Sequence, residues 1–464
     1  MPRRPRADAV EAEVLERIRP SPDLLARVAT TREHLVARST ALAAEMKFPL
    51  SRALVAGSAA RGTFLQDRLD VDLFLLFPPD VTRPELERMG LALGAALLTD
   101  TETRYAEHPY RRGRFEGFTV DAVPGFAVTD SHRPLSAVDR TPFHQAYLAE
   151  RETPVLVDQI RLTKQFLRTL GVYGSEARRG GCSGYLVELL VLRFGSFRGL
   201  MDAAQHWRIP VRLLSRPDAA PRAPEDVALL LDDPVDPARN VATALTRRNL
   251  ATLILGAGGY LREPSRSWFE PRPMAVPTLA SSLERVHERT THVGALVLPR
   301  PKLVDDILYP QLRKAERAIA EEATRLGFAV LGTASAAGTG ELVVLVEVEH
   351  GERPAVLAHA GPPAGLDRVD AFLDKWGAAD AQVLQGPFVT EDGRLAVDTR
   401  RVHRRLEPLL TETLAHLPLG RDLRTGISAA TRFQPVGELA DSPQLREALG
   451  DLLAKQLPWS TGAA

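Results

Sequence analysis

Two aspartates, Asp70 and Asp72, stand two positions apart in the apolar run 69–77. Alternate side chains of a strand point to one face, so both carboxylates share a face. Carboxylates that close repel unless a cation or a proton lies between them. The flanking Val71, Leu73 and Leu75 mark an interior strand, where two unpaired carboxylates would be costly. Just upstream, Gly57-Ser58-Ala59-Ala60-Arg61-Gly62-Thr63-Phe64 follows a short apolar strand at 53–57. The Gly-Ser pair ends that strand and a helix is expected to start there. Glycine lets the backbone approach a ligand closely, and helix N–H groups suit phosphate oxygens. A third strand at 115–123 puts Thr119, Asp121 and Val123 on one face. An aspartate from a neighbouring strand would complete a three-carboxylate site. Beside a phosphate-binding turn, such a set suits a pair of Mg²⁺ ions, one activating an attacking hydroxyl and the other steadying a triphosphate.

These residues need a scaffold. Residues 10–46 read as two helices parted by Pro20-Ser21-Pro22, with Asp23 as the N-cap of the second. A helix is expected over 84–98. Pro78-Pro79 stops the second strand, and Pro124-Gly125 is expected to stop the third. Residues 155–170, 184–206 and 238–256 have helical apolar periodicity, and 208–225 reads as a loop. Pro264, Pro271, Pro273 and Pro277 mark a boundary near 265–278. Beyond it, strands are expected at 296–298, 328–331, 341–348, 382–388 and 395–399, with helices at 309–326 and 401–416. The fold class is therefore α+β and multidomain: a head of a small mixed sheet with helices (1–153), a mainly helical central domain (154–270), and an α+β body and tail (271–464).

The chain of 464 residues has room for about three domains. Its 44% hydrophobic content can bury sizeable cores, which excludes disorder over most of its length. The 59 basic residues equal the 59 acidic ones, so a nucleic-acid partner would have to meet a local basic patch. Only six basic residues are lysine, which singles out Lys164 among the motifs. One cysteine, Cys182, excludes an internal disulfide and a multi-cysteine zinc site; it reads as a small buried residue. The basic start at Met1 runs into Glu and Arg by residue 19, so no signal peptide is expected. Apolar runs are too short for a membrane helix. A cytoplasmic protein without membrane partners is expected.

The pattern Gly-Ser-x-x-Arg-Gly-Thr, then Asp-x-Asp and a later Asp, resembles the DNA polymerase β-type nucleotidyltransferase superfamily. The likeness narrows to the archaeal, class I, CCA-adding enzymes. It is carried by Arg104-Tyr-Ala-Glu-His-Pro-Tyr110, Ser136-Ala-Val-Asp-Arg-Thr-Pro-Phe-His144, Cys182-Ser-Gly-Tyr-Leu186 and Asp233-Pro-Val-Asp-Pro-Ala-Arg-Asn240. Val304-Asp-Asp-Ile-Leu-Tyr-Pro-Gln-Leu312 extends it, and Gly361-Pro362, Phe372-Leu373 and Gly386-Pro-Phe388 fit more loosely. The resemblance spans residues 10–440. It implies a polymerase β-like catalytic head, a central neck that recognises the base, and a body and tail that bind tRNA. It also implies template-independent addition of C, C and A to the tRNA 3′ end from CTP and ATP, with Mg²⁺ and release of pyrophosphate.

Carried over by position, Asp70, Asp72 and Asp121 would bind metal, and Gly57, Ser58 and Arg61 would meet the triphosphate. Thr141, His144, Lys164 and Tyr173 would hold phosphates and sugar. Arg239 would read the base edge with its rigid fork of donors. Departures fall at Asp70, where the family has Glu, and at Ala59, Gly62, Phe64 and Cys182. They keep other readings open: partial CCA addition, poly(A) or oligonucleotide synthesis, or a non-catalytic RNA-binding relative. A homodimer also stays open.

Overall fold

Five strands form one sheet in the computed structural model: β1 (Arg52–Ala56), β2 (Asp70–Phe77), β3 (Thr99–Tyr105), β4 (Pro109–Phe115) and β5 (Phe118–Phe126), in the order β1-β2-β5-β4-β3. β2 and β5 run parallel and the other neighbours antiparallel. The structure describes residues 4–67, 69–105, 107–215, 227–271, 276–378 and 382–459. The chain divides into two compact units, Met1–Pro273 with Leu457–Ala464, and Met274–Gln456.

In the first unit, helices α2 (Pro22–Glu45), α3 (Gly57–Arg61) and α4 (Arg83–Leu97) accompany the sheet, while α1 (Arg4–Ile18) packs through Val14 and Leu15 into the helical core that follows. Leu73, Leu75 and Phe77 of β2 and Val120 and Ala122 of β5 pack with Leu35 and Leu42 of α2 and Leu86 and Leu93 of α4. Burying each such Leu or Phe contributes roughly 1.5–3 kcal/mol. That packing fixes which face of the sheet is core. By strand alternation it puts Asp70, Asp72 and Asp121 on the other face.

Three expectations for this region change. The cap of α2 is Ser21, whose Oγ accepts the Leu24 N–H at 3.1 Å, and Asp23 lies inside the helix. With Pro22 fixing the first helical φ, the cap position falls one residue before it. β5 runs through Pro124-Gly125 to Phe126. Pairing with β4 ends at Ala122, so the missing N–H of Pro124 breaks no bond on that side. The β3–β4 hairpin was not expected: its strands are rich in Thr, Glu and Arg, with β3 mostly exposed and β4 mostly half-buried, so they lack apolar alternation.

The rest of this unit is mainly helical: α5 (Thr141–Ala149), α6 (Pro154–Thr169), α7 (Gly184–Phe194), α8 (Phe197–Ala204) and α9 (Arg247–Arg262). Phe166, Phe197, Tyr260 and Phe269 set their rings edge-on or tilted to one another, 5.2–5.9 Å apart, at its centre. The helix expected over 184–206 is two helices. Gly195 takes a left-handed φ of 76° as a C-cap, and Ser196 Oγ caps the next helix from the Gly199 N–H at 2.9 Å. The helix expected over 238–256 starts only at Arg247. Before it, β8 (Asp232–Asp233) and β9 (Asp236–Asn240) form a small ladder, after the parallel pair β6 (Val211–Arg212) and β7 (Leu229–Leu230). Pro234 and Pro237 hold this stretch out of a helix. Residues 216–225 of the expected loop lie outside the described residues.

The second unit has α10 (Leu279–Glu288), β10 (His292–Pro299), α11 (Asp305–Arg325), β11 (Val330–Ala337), β12 (Glu341–Val348), β13 (Val356–Pro363), α12 (Val369–Gly377), β14 (Val383–Val389), β15 (Arg394–Arg400), α13 (Leu406–Thr413), β16 (Phe433–Pro435) and α14 (Pro443–Leu453). Two antiparallel sheets, β11-β12-β10-β16 and β13-β15-β14, organise it. The expected helix 401–416 is shorter, because the backbone at its start pairs elsewhere: the Arg401 N–H donates to the Ala355 carbonyl and the Arg404 carbonyl accepts the Arg353 N–H.

Candidate active site

Asp72 and Asp121 are register partners on the parallel strands β2 and β5, and Asp70 lies opposite Thr119. Asp72 is also the partner of Ala56, the last residue of β1. Gly57 follows with a φ of 70°, and a Cβ there would stand 2.6 Å from Asp72 Oδ2. Only glycine lets the turn lie against this carboxylate.

Burial, then the Asp121 and Asp70 carboxylates, push the Asp72 carboxyl up to about 7, against the pull of Arg112 and Arg61. Burial raises Asp121 too, opposed by Arg112. Arg112, on β4 and in register with Asp121, was not foreseen. Its Nη1 lies 3.0 Å from Asp121 Oδ2 and its Nη2 2.8 Å from Asp70 Oδ1. Arg112 bonds two of the three acids, and the more distant pull of Arg61 does not offset the rest, so negative charge remains in excess. An oxygen-only donor set of this kind suits a hard divalent cation. Among the described residues, no three acidic, imidazole or thiol groups stand as a preformed metal cage.

Beside Asp72 opens a cavity of about 350 Å³, of ligand-binding size. Gly57, Ser58, Arg61, Thr141, His144, Lys164 and Tyr173 all line it. These residues come from the Gly57 turn, α5, α6 and the segment before α7, so folding gathers positions spread over more than a hundred residues. Arg239 is not among its lining residues.

The cations here are not free. Lys164 Nζ, deeply buried, lies 2.9 Å from Glu188 Oε1 and 3.0 Å from Thr63 Oγ1. Arg61 bonds the other oxygen of Glu188 and Gln145, and pairs with Glu152 at 3.3 Å without hydrogen-bond alignment. Burial alone would raise Glu188, but Lys164 and Arg61 hold it below the usual carboxylate range. Glu152 goes the other way: burial outweighs Arg61 and pushes it up to about 7. Glu188 is the one acid in the apolar helix Gly-Tyr-Leu-Val-Glu-Leu-Leu-Val-Leu-Arg-Phe, and that isolation is the signal that could have found it.

A second network joins Arg239 to His144. Asp233, fully buried, accepts from Arg239 Nη1 at 2.7 Å, from Tyr185 OH at 3.0 Å and from the Val235 N–H at 3.1 Å. Its other contact is His144 Nε2 at 2.8 Å. Burial opposes ionisation, yet these partners hold Asp233 down to about 2. The His144 ring stacks on Tyr185 at 4.1 Å. Asp233 and Tyr185 lie inside the motifs singled out above, but nothing in their spacing marks them as partners of His144.

The nucleotidyltransferase domain family matches residues 40–144, the second domain of tRNA nucleotidyltransferase matches 158–270, and the C-terminal domain of CCA-adding enzyme matches 289–433. A CCA-adding enzyme of Halobacterium salinarum is 37% identical over 450 residues, covering 97% of this chain and 98% of that protein. The chain belongs to the CCA-adding enzyme family. Within that family, the Haloarcula marismortui enzyme is 40% identical over 413 residues, 85% of this chain and 86% of its own. The Methanosarcina barkeri enzyme is 35% identical over 421 residues, covering 89% and 91%. Membership of the CCA-adding enzymes makes the chain a tRNA nucleotidyltransferase with a polymerase β-like catalytic domain in an α+β multidomain architecture. As a nucleotidyltransferase it implies use of a divalent metal. Among the described residues, no helix is long and apolar enough to cross a membrane.

Proposed function

We propose that this CCA-adding enzyme rebuilds the tRNA 3′ terminus from CTP and ATP with Mg²⁺, in the cytoplasm. The observation that carries the reading is the adjacency of three facing carboxylates to a cavity at the Gly57 turn, in a chain that matches the family nearly end to end. Residues 1–153 form the catalytic head, 154–270 the base-reading neck, and 271–464 the part that grips tRNA.

Asp70, Asp72 and Asp121 would hold the metal, which when bound lowers the pKa of the attacking hydroxyl and neutralises phosphate charge. Ser58 and the turn at Gly57 bind the triphosphate where no Cβ intrudes. Arg61 and Lys164 present their charge from a fixed place, because Glu188 anchors both. Thr141 and Tyr173 orient phosphates and sugar from the cavity wall. His144 and Arg239, tied through Asp233, meet the sugar and the Watson–Crick edge of the base. The RNA 3′-hydroxyl attacks the α-phosphate in line, the P–O bond to the leaving pyrophosphate breaks, and the hydroxyl proton passes to solvent or a carboxylate.

Three departures from the family pattern support the same reaction over a changed one. Ala59, Phe64 and Cys182 are all buried in core, away from the cavity wall. Burial also pushes the Cys182 thiol up to about 12, which keeps it inert. Substitutions there alter packing and leave the cavity lining unchanged. The test is extension of tRNA lacking its 3′ CCA, each NTP offered singly and together, with sequenced products. Strict C-C-A ends are expected. A C-C or poly(A) product would favour the alternative acceptors or partial addition, and no extension beside an active reference enzyme would refute catalysis.

A further inference from the structure

We propose that Arg112 is a built-in counter-cation that keeps the carboxylate site shaped until a divalent ion displaces it. This rests on the reading of Asp70, Asp72 and Asp121 as the metal site.

The geometry is that of a bridge. Arg112 stands opposite Asp121 in the β4–β5 register. Its two Nη atoms reach carboxylates on two different strands, Asp121 of β5 and Asp70 of β2. The guanidinium is a rigid planar fork, so it sets the spacing of the two acids it holds. It also fills the gap between them. For both acids to bind one Mg²⁺ they must place oxygens about 2.0–2.1 Å from it. Arg112 holds both oxygens of Asp121, at 3.3 and 3.0 Å, and one oxygen of Asp70, so an ion drawing on both acids competes with it.

The strand lets Arg112 leave without moving the backbone. Its neighbour Arg111 points to the opposite face of β4, where its Cβ packs on Gly94 of α4. Arg112 is on the open face and its side chain is 24% exposed. Sheet order puts the Gly57 turn, after β1, on one side of the carboxylates and Arg112, on β4, on the other. A cation arriving from the nucleotide side therefore meets Arg112 across the acids. The bridge lowers the repulsion among the carboxylates when no ion is present. The same bridge weakens binding of a bare ion relative to one that arrives carrying triphosphate oxygens of its own.

Mn²⁺ binding to the full chain without nucleotide, read by electron paramagnetic resonance, tests this. Arg112→Met is expected to tighten Mn²⁺ binding on the order of tenfold, since two charge-assisted bonds no longer oppose it. Arg112→Gln, which keeps polarity and more of the shape, should also tighten it. Circular dichroism checks that each variant is folded. The melting temperature of Arg112→Met should fall without metal and recover with Mn²⁺ more than the wild type gains. An Arg112 that only braces the sheet would lower the melting temperature and leave Mn²⁺ affinity unchanged or weaker, which overturns the proposal. Asp72→Asn separates the two readings. If the Asp72→Asn chain binds Mn²⁺ as tightly as the wild type, the metal site itself is refuted and the role of Arg112 with it. If it removes binding while the Arg112 variants bind no tighter, only the role of Arg112 falls.

Discussion

Lys164 Nζ lies 2.9 Å from Glu188 Oε1, with both side chains buried, and Thr63 Oγ1 closes the triangle at 3.0 Å from the amine and 2.7 Å from the carboxylate. The same glutamate takes Arg61 on its other oxygen. Two cations that line the cavity beside Asp72 thus share one buried anion. Their charge reaches the cavity from a fixed position, so little conformational entropy remains to be lost when a triphosphate binds.

Glu188→Ala should therefore damage the fold as well as the site. It leaves two cations buried without their main partner, a loss of about 3–5 kcal/mol. The urea midpoint of the variant measures it. Glu188→Gln, which can still accept from Lys164, should lose less.

Gly57→Ala should cost activity far more than stability. Alanine at a φ of 70° is strained by roughly 1–2 kcal/mol. Its Cβ would also push on Asp72 Oδ2, 2.6 Å away. We expect kcat for CTP addition to fall at least about a hundredfold, as misplacement of reacting groups by an ångström can cost. A variant with wild-type kcat would show that the turn does not position the carboxylate.

Asp233→Asn keeps size and removes the charge that Arg239 and His144 share. KM for both CTP and ATP should rise about tenfold, as for loss of one charge-assisted bond. UTP or GTP should be misincorporated more often, which sequenced products would reveal. Unchanged fidelity with a raised KM would limit Asp233 to holding the sugar side through His144.

Glu152 makes a pH prediction. Its folded pKa, about 7, lies above the ordinary glutamate value of 4.5, so the folded state prefers the neutral acid. Its contribution is then fully present below about pH 4.5 and is lost as pH rises to about 7. Glu152→Gln stays neutral throughout. Thermal melts of the two proteins should agree near pH 4 and diverge by pH 8, with the variant the more stable. Parallel curves over that range would contradict a buried, reluctant Glu152.

Asp70→Glu tests the departure from the family pattern. Asp70 is the most exposed of the three acids, with 44% of its side chain open, so one more methylene has room. Extension should persist within about threefold, whereas Asp72→Asn should abolish it. A hundredfold loss in Asp70→Glu would mean that the shorter acid is matched to the reach of Arg112.

Much of the carboxylate face was readable beforehand. Asp-x-Asp in an apolar run gives the shared face of Asp70 and Asp72, since strand alternation is a property of the backbone. The resemblance then placed Ser58, Arg61, Thr141, His144, Lys164 and Tyr173, and all six line one cavity. Less readable was the β3–β4 hairpin, whose polar, charged strands hide their period. Pro124 misled because a proline stops a strand only where its N–H would have been used.

The sequence by itself determined the strand carrying the carboxylates, the turn beside it and the family, because these rest on local periodicity, on glycine at one position, and on motifs spread along the chain. Tertiary structure alone decided which charges neutralise which. Arg61 and Glu188 are 127 residues apart, His144 and Asp233 89, and Arg112 and Asp70 42. No local rule couples such pairs. They meet because burial makes an unpartnered charge costly, and only the packed chain offers each one its partner.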